Sequence, residues 1–184
     1  MKTATLTGKM VCLKALEIDK HAIALERWMQ DSEYSRLLNS EPAVVWPAKQ
    51  IQEWMEKEFS PDTIFFGIHS LEDDRLIGDT ALGGFDWPAG NAWVGIGLGD
   101  REYWGKGYGT DAMRLVLRFA FSELNLNRVS LDVFEYNPRA IRSYENAGFK
   151  HEGRGRAWIN REGRRWDMVY MGILRREWEE HQKE

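Results

Sequence analysis

The stretch Trp104-Gly105-Lys106-Gly107-Tyr108-Gly109-Thr110 decides how this chain is read. It joins an apolar strand pattern to an amphipathic helix pattern. Three glycines at alternate positions let the backbone turn tightly and present successive N–H groups with no side chain in the way. The helix that follows adds its unpaired first amides and the positive end of its dipole. Such a junction is a site for phosphate groups.

Two well-known phosphate motifs do not fit. A P-loop needs G-x-x-x-x-G-K-[ST], but Gly99 lies one residue too far from Gly105, and Gly107 stands where the Ser/Thr should be. The dinucleotide fingerprint G-x-G-x-x-G fails at its last interval, and no acid stands in the right place to hold a ribose, since the region about 20 residues on, Glu123 to Arg128, falls in the end of the next helix and its loop.

The loop does resemble the acetyl-CoA loop of the GNAT N-acetyltransferases, [QR]-x-x-G-x-[GA], aligned on Gly107 and Gly109. Trp104 takes the usual Gln/Arg position, a departure shared by the branch of ribosomal-protein N-terminal and spermidine acetyltransferases, where W-G-K-G-Y-[GA]-T is common. A second segment, Asn137-x-x-Ala140-x-x-x-Tyr144-x-x-x-Gly148-Phe149, resembles the one that closes the CoA site in these enzymes. It follows the glycine loop after one helix and one strand, in the family's order. The resemblance covers residues 11–174.

Composition agrees with a single globular domain over 1–184, which the resemblance implies is an N-acetyltransferase domain. The length of 184 residues suits one domain with a real core, and 43% of residues are hydrophobic. No apolar run is long enough to span a bilayer, and the N-terminus lacks a signal-peptide pattern. The single cysteine, Cys12, excludes an internal disulfide, and the four histidines show no ligand spacing, so no metal is expected. These features predict a cytoplasmic protein with no membrane partner. The formal charge of −4 argues against duplex nucleic acid. Arg154, Arg156, Arg161, Arg164 and Arg165 form a local exception, read as a solvated hairpin face or a nucleic-acid patch.

Hydrophobic periodicity outlines the order β-α-α-α-β-β-β-α-β-α-β-β, a mixed α/β sheet. Residues 11–16 read as the first strand. Asp19 is placed as the cap of a helix running to Met29, a short helix follows near 32–38, and Trp46-Pro47 opens a third helix carrying Ile51, Trp54, Met55 and Phe59. Strands are expected at 63–70, 76–87 and 92–99. A helix over 110–124 and a strand over 128–134 follow. Asn137-Pro138 then caps a helix ending at Gly148, and a hairpin turns at 160–163. The tail from Arg175 is polar and helical. The resemblance implies a GNAT fold whose central sheet splays at the acetyl-CoA site, with a helical insert after the first strand that shapes the acceptor site.

The residues that would carry chemistry follow from what acetyl transfer requires: a neutral amine, a polarised carbonyl and a proton for the leaving thiolate. The pyrophosphate of the cosubstrate acetyl-CoA falls on the amides of Gly105, Lys106, Gly107, Tyr108, Gly109 and Thr110. Gly95, Gly97 and Gly99 weaken one strand, and the resemblance supplies a reason: backbone near Leu98 and Gly99 pairs with the pantetheine arm. Asn137 matches the family asparagine that bonds the same arm. Tyr144 matches the general acid; a tyrosine of pKa about 10 keeps its proton at neutral pH. For the base, Asp132 stands where some N-terminal acetyltransferases carry a glutamate, Glu41 resembles an acidic loop residue of polyamine acetyltransferases, and Asp79, Asp86 or ordered water are further candidates. Nine tryptophans are present, most of them expected in the core.

The expected activity is therefore acetyl-CoA-dependent N-acetylation of a primary amine, either a protein N-terminus or a small amine such as a polyamine, amino acid or antibiotic. The alternative is a non-catalytic acyl-CoA-binding regulatory module of the same fold. A homodimer is compatible with the resemblance.

Overall fold

A computed structural model describes residues 5–58 and 62–182. The described residues form seven strands and six helices: β1 (Val11–Ala15), α1 (Ile18–Met29), α2 (Ser32–Leu38), α3 (Ala48–Glu58), β2 (Ile64–Ser70), β3 (Leu76–Asp86), β4 (Asn91–Leu98), α4 (Tyr108–Ser122), β5 (Arg128–Phe134), α5 (Pro138–Ala147), β6 (Lys150–Arg161), β7 (Arg164–Leu174) and α6 (Arg175–His181). The strands lie in one sheet in the order β1-β2-β3-β4-β5-β7-β6. Every neighbouring pair is antiparallel except β4 and β5.

That one parallel pair is where the sheet opens. β4 and β5 pair only at Asn91↔Arg128, Ala92↔Val129 and Trp93↔Ser130. Beyond Trp93, β4 stays paired with β3 as far as Leu98↔Gly78, and β5 stays paired with β7 as far as Phe134↔Met168. Each strand therefore keeps one partner while the two part from one another.

The main core lies between the sheet and helices α4 and α5. Alternation along β5 sends Val129, Leu131 and Val133 into it, and α4 contributes Met113, Val116, Leu117, Ala120 and Phe121 at helical spacing, all buried. On the opposite side α1 packs on α3 through Ala22, Ile51 and Met55. Asp111 in the first turn of α4 accepts the backbone N–H groups of Lys9, Met10 and Val11 at 2.9, 2.7 and 3.1 Å, which ties the first strand to the helix that follows the glycine loop. At the far end of α4, the Arg175 guanidinium donates to the Phe121 carbonyl, one of the orphan acceptors of that terminus, and to the Leu126 carbonyl in the loop beyond.

Local differences from the sequence expectation have identifiable causes. α1 begins at Ile18 with Glu17 at the cap position, so Asp19 lies within the first turn, where it favours the helix through the dipole rather than as a cap. α4 begins at Tyr108, two residues earlier than the apolar periodicity suggests, because Gly107 takes φ +97° and starts the helix without a capping side chain. A short 3-10 turn, Arg101–Tyr103, precedes the loop, and Tyr103 packs edge-on against Tyr108 with ring centroids 4.9 Å apart. β3 stops at Asp86, leaving Trp87 in the turn, stacked on Phe85 at 4.5 Å. The β6–β7 hairpin turns on Glu162 and Gly163 alone, both at positive φ. Phe59 lies outside the described residues. Among the described residues no helix is long and apolar enough to cross a membrane.

Candidate active site

The parted ends of β4 and β5 enclose a cavity of about 450 Å³. One end of it is formed by the loop before α4. Gly105 and Gly107 take φ +71° and +97°, in the left-handed region that favours glycine, and no side chain caps the first turn of α4. Gly105, Gly107, Gly109 and Thr110 line the cavity, whereas Lys106 and Tyr108 lie outside its lining. The Thr110 hydroxyl shares a 2.9 Å hydrogen bond with Ser143, which joins the first turn of α4 to α5.

Trp104 lines the cavity with an indole where Gln or Arg would carry an amide or a guanidinium. Its indole N–H donates to the Leu98 carbonyl at 2.7 Å, and the Arg139 guanidinium lies 3.6 Å over its ring. Arg139 and Arg142 both line the cavity. The sequence reading did not single out either arginine; the only signal was two cations within the Asn137-to-Tyr144 segment.

In the register of β3 with β4, Gly99 opposes Ile77 and donates its N–H to that carbonyl at 2.9 Å. The backbone of Leu98, one residue earlier, therefore faces the gap. Leu98 lines the cavity and Gly99 does not. Gly99 has a different requirement: a Cβ there would sit 1.9 Å from the Trp28 indole, which is buried against it.

At the chemical end, Asn137 lines the cavity and its side chain accepts the Ala140 N–H at 3.1 Å, acting as the cap of α5. Tyr144 is buried at the cavity wall, and its pKa is pushed up to about 12, first by burial and then by the Asp132 carboxylate, against an opposing contribution from Arg139. Asp132 opens into the cavity from β5, and desolvation raises its own pKa. The structure thus brings Leu98, Trp104, Gly105, Gly107, Gly109, Thr110, Asp132, Asn137 and Tyr144 to one cavity. Glu41 is not among the lining residues; it is exposed in the loop after α2, where Arg161 donates to its backbone carbonyl and to that of Asn39.

The face of β4 opposite α4 is floored by glycine. Gly95 has nothing within 4 Å of a Cβ built on it, and Gly97 looks onto Leu38 and the Tyr34 hydroxyl. Leu38, which lines the cavity, is partly exposed. This face of the cavity is open to an acceptor. Trp28 is core as expected, but Trp54, Trp87 and Trp93 are exposed. Of the hairpin arginines, Arg154 pairs with Glu135 and Asp167, Arg161 holds the Asn39–Glu41 loop, and Arg164 lies over Trp166. Among the described residues no group of three or more His, Cys, Asp or Glu could hold a metal ion.

Comparison with known proteins gives the same assignment. The acetyltransferase (GNAT) domain family matches residues 11–150. "Uncharacterized N-acetyltransferase p20" of Bacillus licheniformis is 28% identical over 176 residues, 95% of this chain and 98% of that protein. "Probable N-acetyltransferase YjcK" of Bacillus subtilis is 37% identical over 129 residues, 68% of this chain and 70% of that one. Among solved structures, the spermidine N-acetyltransferase of Vibrio cholerae in complex with CoA and spermine superposes with a TM-score of 0.80 at 24% identity, over 91% of this chain and 97% of that one.

Proposed function

The chain belongs to the GNAT acetyltransferase family, and on that premise we propose that it moves an acetyl group from acetyl-CoA to a primary amine, of a protein N-terminus or of a small molecule, by direct attack. The observation that carries this reading is the parting of β4 from β5 beyond Trp93, with uncapped helix amides at one end of the cavity and Tyr144 at the other. A strand edge without a neighbour can pair with a peptide-like arm.

The residues present suit acetyl-CoA on their own chemistry. The amides of Gly105 to Thr110 and the cations Arg139 and Arg142 match a pyrophosphate. The cosubstrate supplies an activated acetyl thioester. Leu98 and its neighbours on β4 orient the pantetheine arm, and Asn137 adds a polar group beside it. Tyr144, protonated far above neutral pH, donates to the leaving sulfur. Asp132 keeps that proton in place, since its negative charge disfavours a phenolate. Glu41, outside the cavity lining, acts on a cationic acceptor as it approaches.

Thiol release from acetyl-CoA, measured against polyamines, amino acids, aminoglycosides and short peptides with free N-termini, tests this reading. One acceptor that gives turnover supports it and fixes the acceptor class. Tight acetyl-CoA binding without turnover on any amine overturns the enzymatic reading in favour of a binding module. Absence of binding overturns both.

A further inference from the structure

A second group of polar residues lies beneath the glycine floor of β4, and nothing in the acetyl-transfer machinery above uses it. His21 of α1 and Tyr34 of α2 are 3% exposed, and their Nδ1 and hydroxyl atoms have no hydrogen-bond partner among the described residues. Nor, among the described residues, do the neighbouring Trp28 Nε1 and Ser35 Oγ have one. Buried polar atoms are almost always satisfied, by protein or by ordered water, and a cluster of four that are not marks a place where protons or polar molecules are handled. His21 Nε2 lies 3.6 Å from Asp79 Oδ1 of β3, within ion-pair range but longer than a closed hydrogen bond.

The position of this cluster gives it a direction. Asp79 is the cross-strand partner of Gly97. A Cβ on Gly97 would stand 3.2 Å from the Tyr34 hydroxyl and 3.7 Å from Asp79 Oδ1, so the missing side chain leaves both oxygens facing the same small space. Gly97 and Tyr34 line the large cavity. On its other side His21 lines a separate cavity of about 40 Å³, together with Glu17, Lys20 and His69. That volume holds at least one water. His21 and Asp79 therefore stand between the acceptor side of the active site and a second opening.

We propose that Tyr34, Asp79 and His21 form the proton path of the reaction, taking the proton from the acceptor amine above Gly97 and passing it to the small cavity beside Glu17, Lys20 and His69. The inference rests on the acetyl-transfer reading given above. In the step concerned, the amine nitrogen forms a bond to the carbonyl carbon and the carbon–sulfur bond breaks. The proton leaves nitrogen through the Tyr34 hydroxyl and ordered water to the Asp79–His21 pair. Tyr144 protonates the sulfur separately, so acid and base work from opposite faces of the sheet.

Burial pushes the His21 pKa down, opposed by Asp79, and pushes the Asp79 pKa up, opposed by His21. Both shifts narrow the gap between the two groups, which suits a pair that exchanges one proton. The titratable groups facing the pair are Tyr34 from α2, Glu17 and Lys20 from the start of α1, and His69 of β2. Tyr34 is held protonated, its pKa raised by burial and then by Asp79.

The test is the pH profile of kcat/KM for the best acceptor amine, in the whole protein and in Asp79→Asn, His21→Gln and Tyr34→Phe, with acetyl-CoA affinity measured alongside by calorimetry. Loss of a base is expected to lower kcat/KM near neutrality by about a hundredfold for Asp79→Asn. Acetyl-CoA affinity should hold within about twofold, because the cosubstrate is bound elsewhere. The profile should also change shape. The parent levels off once the pair is deprotonated, whereas the variants keep rising toward the pKa of the free amine, about 10. Tyr34→Phe removes one unpartnered oxygen and carries the test if Asp79→Asn does not fold. Variant profiles parallel to the parent, whatever their height, would show a structural role and overturn the inference alone. A parent that turns over no amine removes the reaction on which it rests.

Discussion

Trp104 donates its indole N–H to the carbonyl of Leu98 at 2.7 Å, so a residue of the glycine loop closes a hydrogen bond on the last residue of the parted strand. The bond ties the glycine-loop end of the cavity to the strand edge that faces the gap, and Arg139 rests on the indole ring at 3.6 Å. Trp104→Phe keeps a ring for the cation but removes the donor. A neutral hydrogen bond is worth about 1 kcal/mol net, which for a domain of this size lowers the melting temperature by roughly 2–4 °C. Trp104→Gln keeps a donor and loses the ring, freeing Arg139, so acetyl-CoA affinity should fall more than in Trp104→Phe. Thermal melts and cosubstrate titration of the two variants separate the contributions. Equal affinity in both would show that the ring does not position Arg139.

Tyr144→Phe addresses the acid. The expected result is a drop in kcat of about 10²-fold or more with acetyl-CoA affinity nearly unchanged. With its pKa near 12, Tyr144 gives the parent no falling limb of its own through the neutral and mildly alkaline range. The sign for stability follows from linkage. Folding raises the pKa from 10.0, so this group's contribution is complete below pH 10.0 and is lost as pH climbs through about 12. Tyr144→Phe should remove that alkaline loss, as read by melting at high pH. Unchanged turnover would take Tyr144 out of the chemistry.

Asp132→Asn separates two roles for one carboxylate. Desolvation raises the pKa of Asp132, so its contribution to stability is present below the ordinary value of 3.8 and is lost as pH rises through the folded pKa. The amide variant escapes that loss and should melt higher than the parent at neutral pH, with the difference vanishing in acid. It also lifts a negative charge from beside Tyr144, so the tyrosine should titrate lower, which absorbance of the tyrosinate reads in a spectroscopic pH titration. If Asp132 supports the acid, turnover survives in part; if it is the base, turnover falls as far as in Tyr144→Phe.

The elements that bear the cofactor chemistry were legible because their signals are local. The glycine spacing of the loop, the Asn137-Pro138 start and Gly148 end of α5, and the alternation of β5 each depend on neighbours a few residues away, and α5 and β5 begin and end where the sequence places them. The acceptor side was not legible to the same degree. His21 of α1 and Asp79 of β3 come together only through the tertiary fold, and neither has a sequence neighbour that hints at the other. The reason for Gly99 was hidden for the same cause: strand periodicity asks why a glycine is there, and only the packing of Trp28 from a distant helix answers. Asp19 has the chemistry of a cap, but the helix starts one residue before it at Ile18, which with Leu16 packs on the Ala22, Ile51 and Met55 cluster between α1 and α3.

Two of the glycines of β4 and its end, Gly95 and Gly99, provide a graded test of that packing. Gly99→Ala would drive a methyl group to 1.9 Å from the indole of Trp28, which is 2% exposed and cannot move without displacing α1. Overpacking of this kind costs about 1–3 kcal/mol or more, and the strain falls on the helices that roof the acceptor face. Gly95→Ala meets nothing within 4 Å and, lying in a strand at negative φ, should leave stability within about 0.5 kcal/mol of the parent. Its methyl group instead narrows the open face of the cavity, so the KM for the amine should rise while the KM for acetyl-CoA stays put. Melting temperature and the two KM values, measured for both variants, decide the matter. A Gly95→Ala protein with unchanged amine KM would mean that acceptors do not cross that face, and a Gly99→Ala protein as stable as the parent would mean that Trp28 has room the packing does not show.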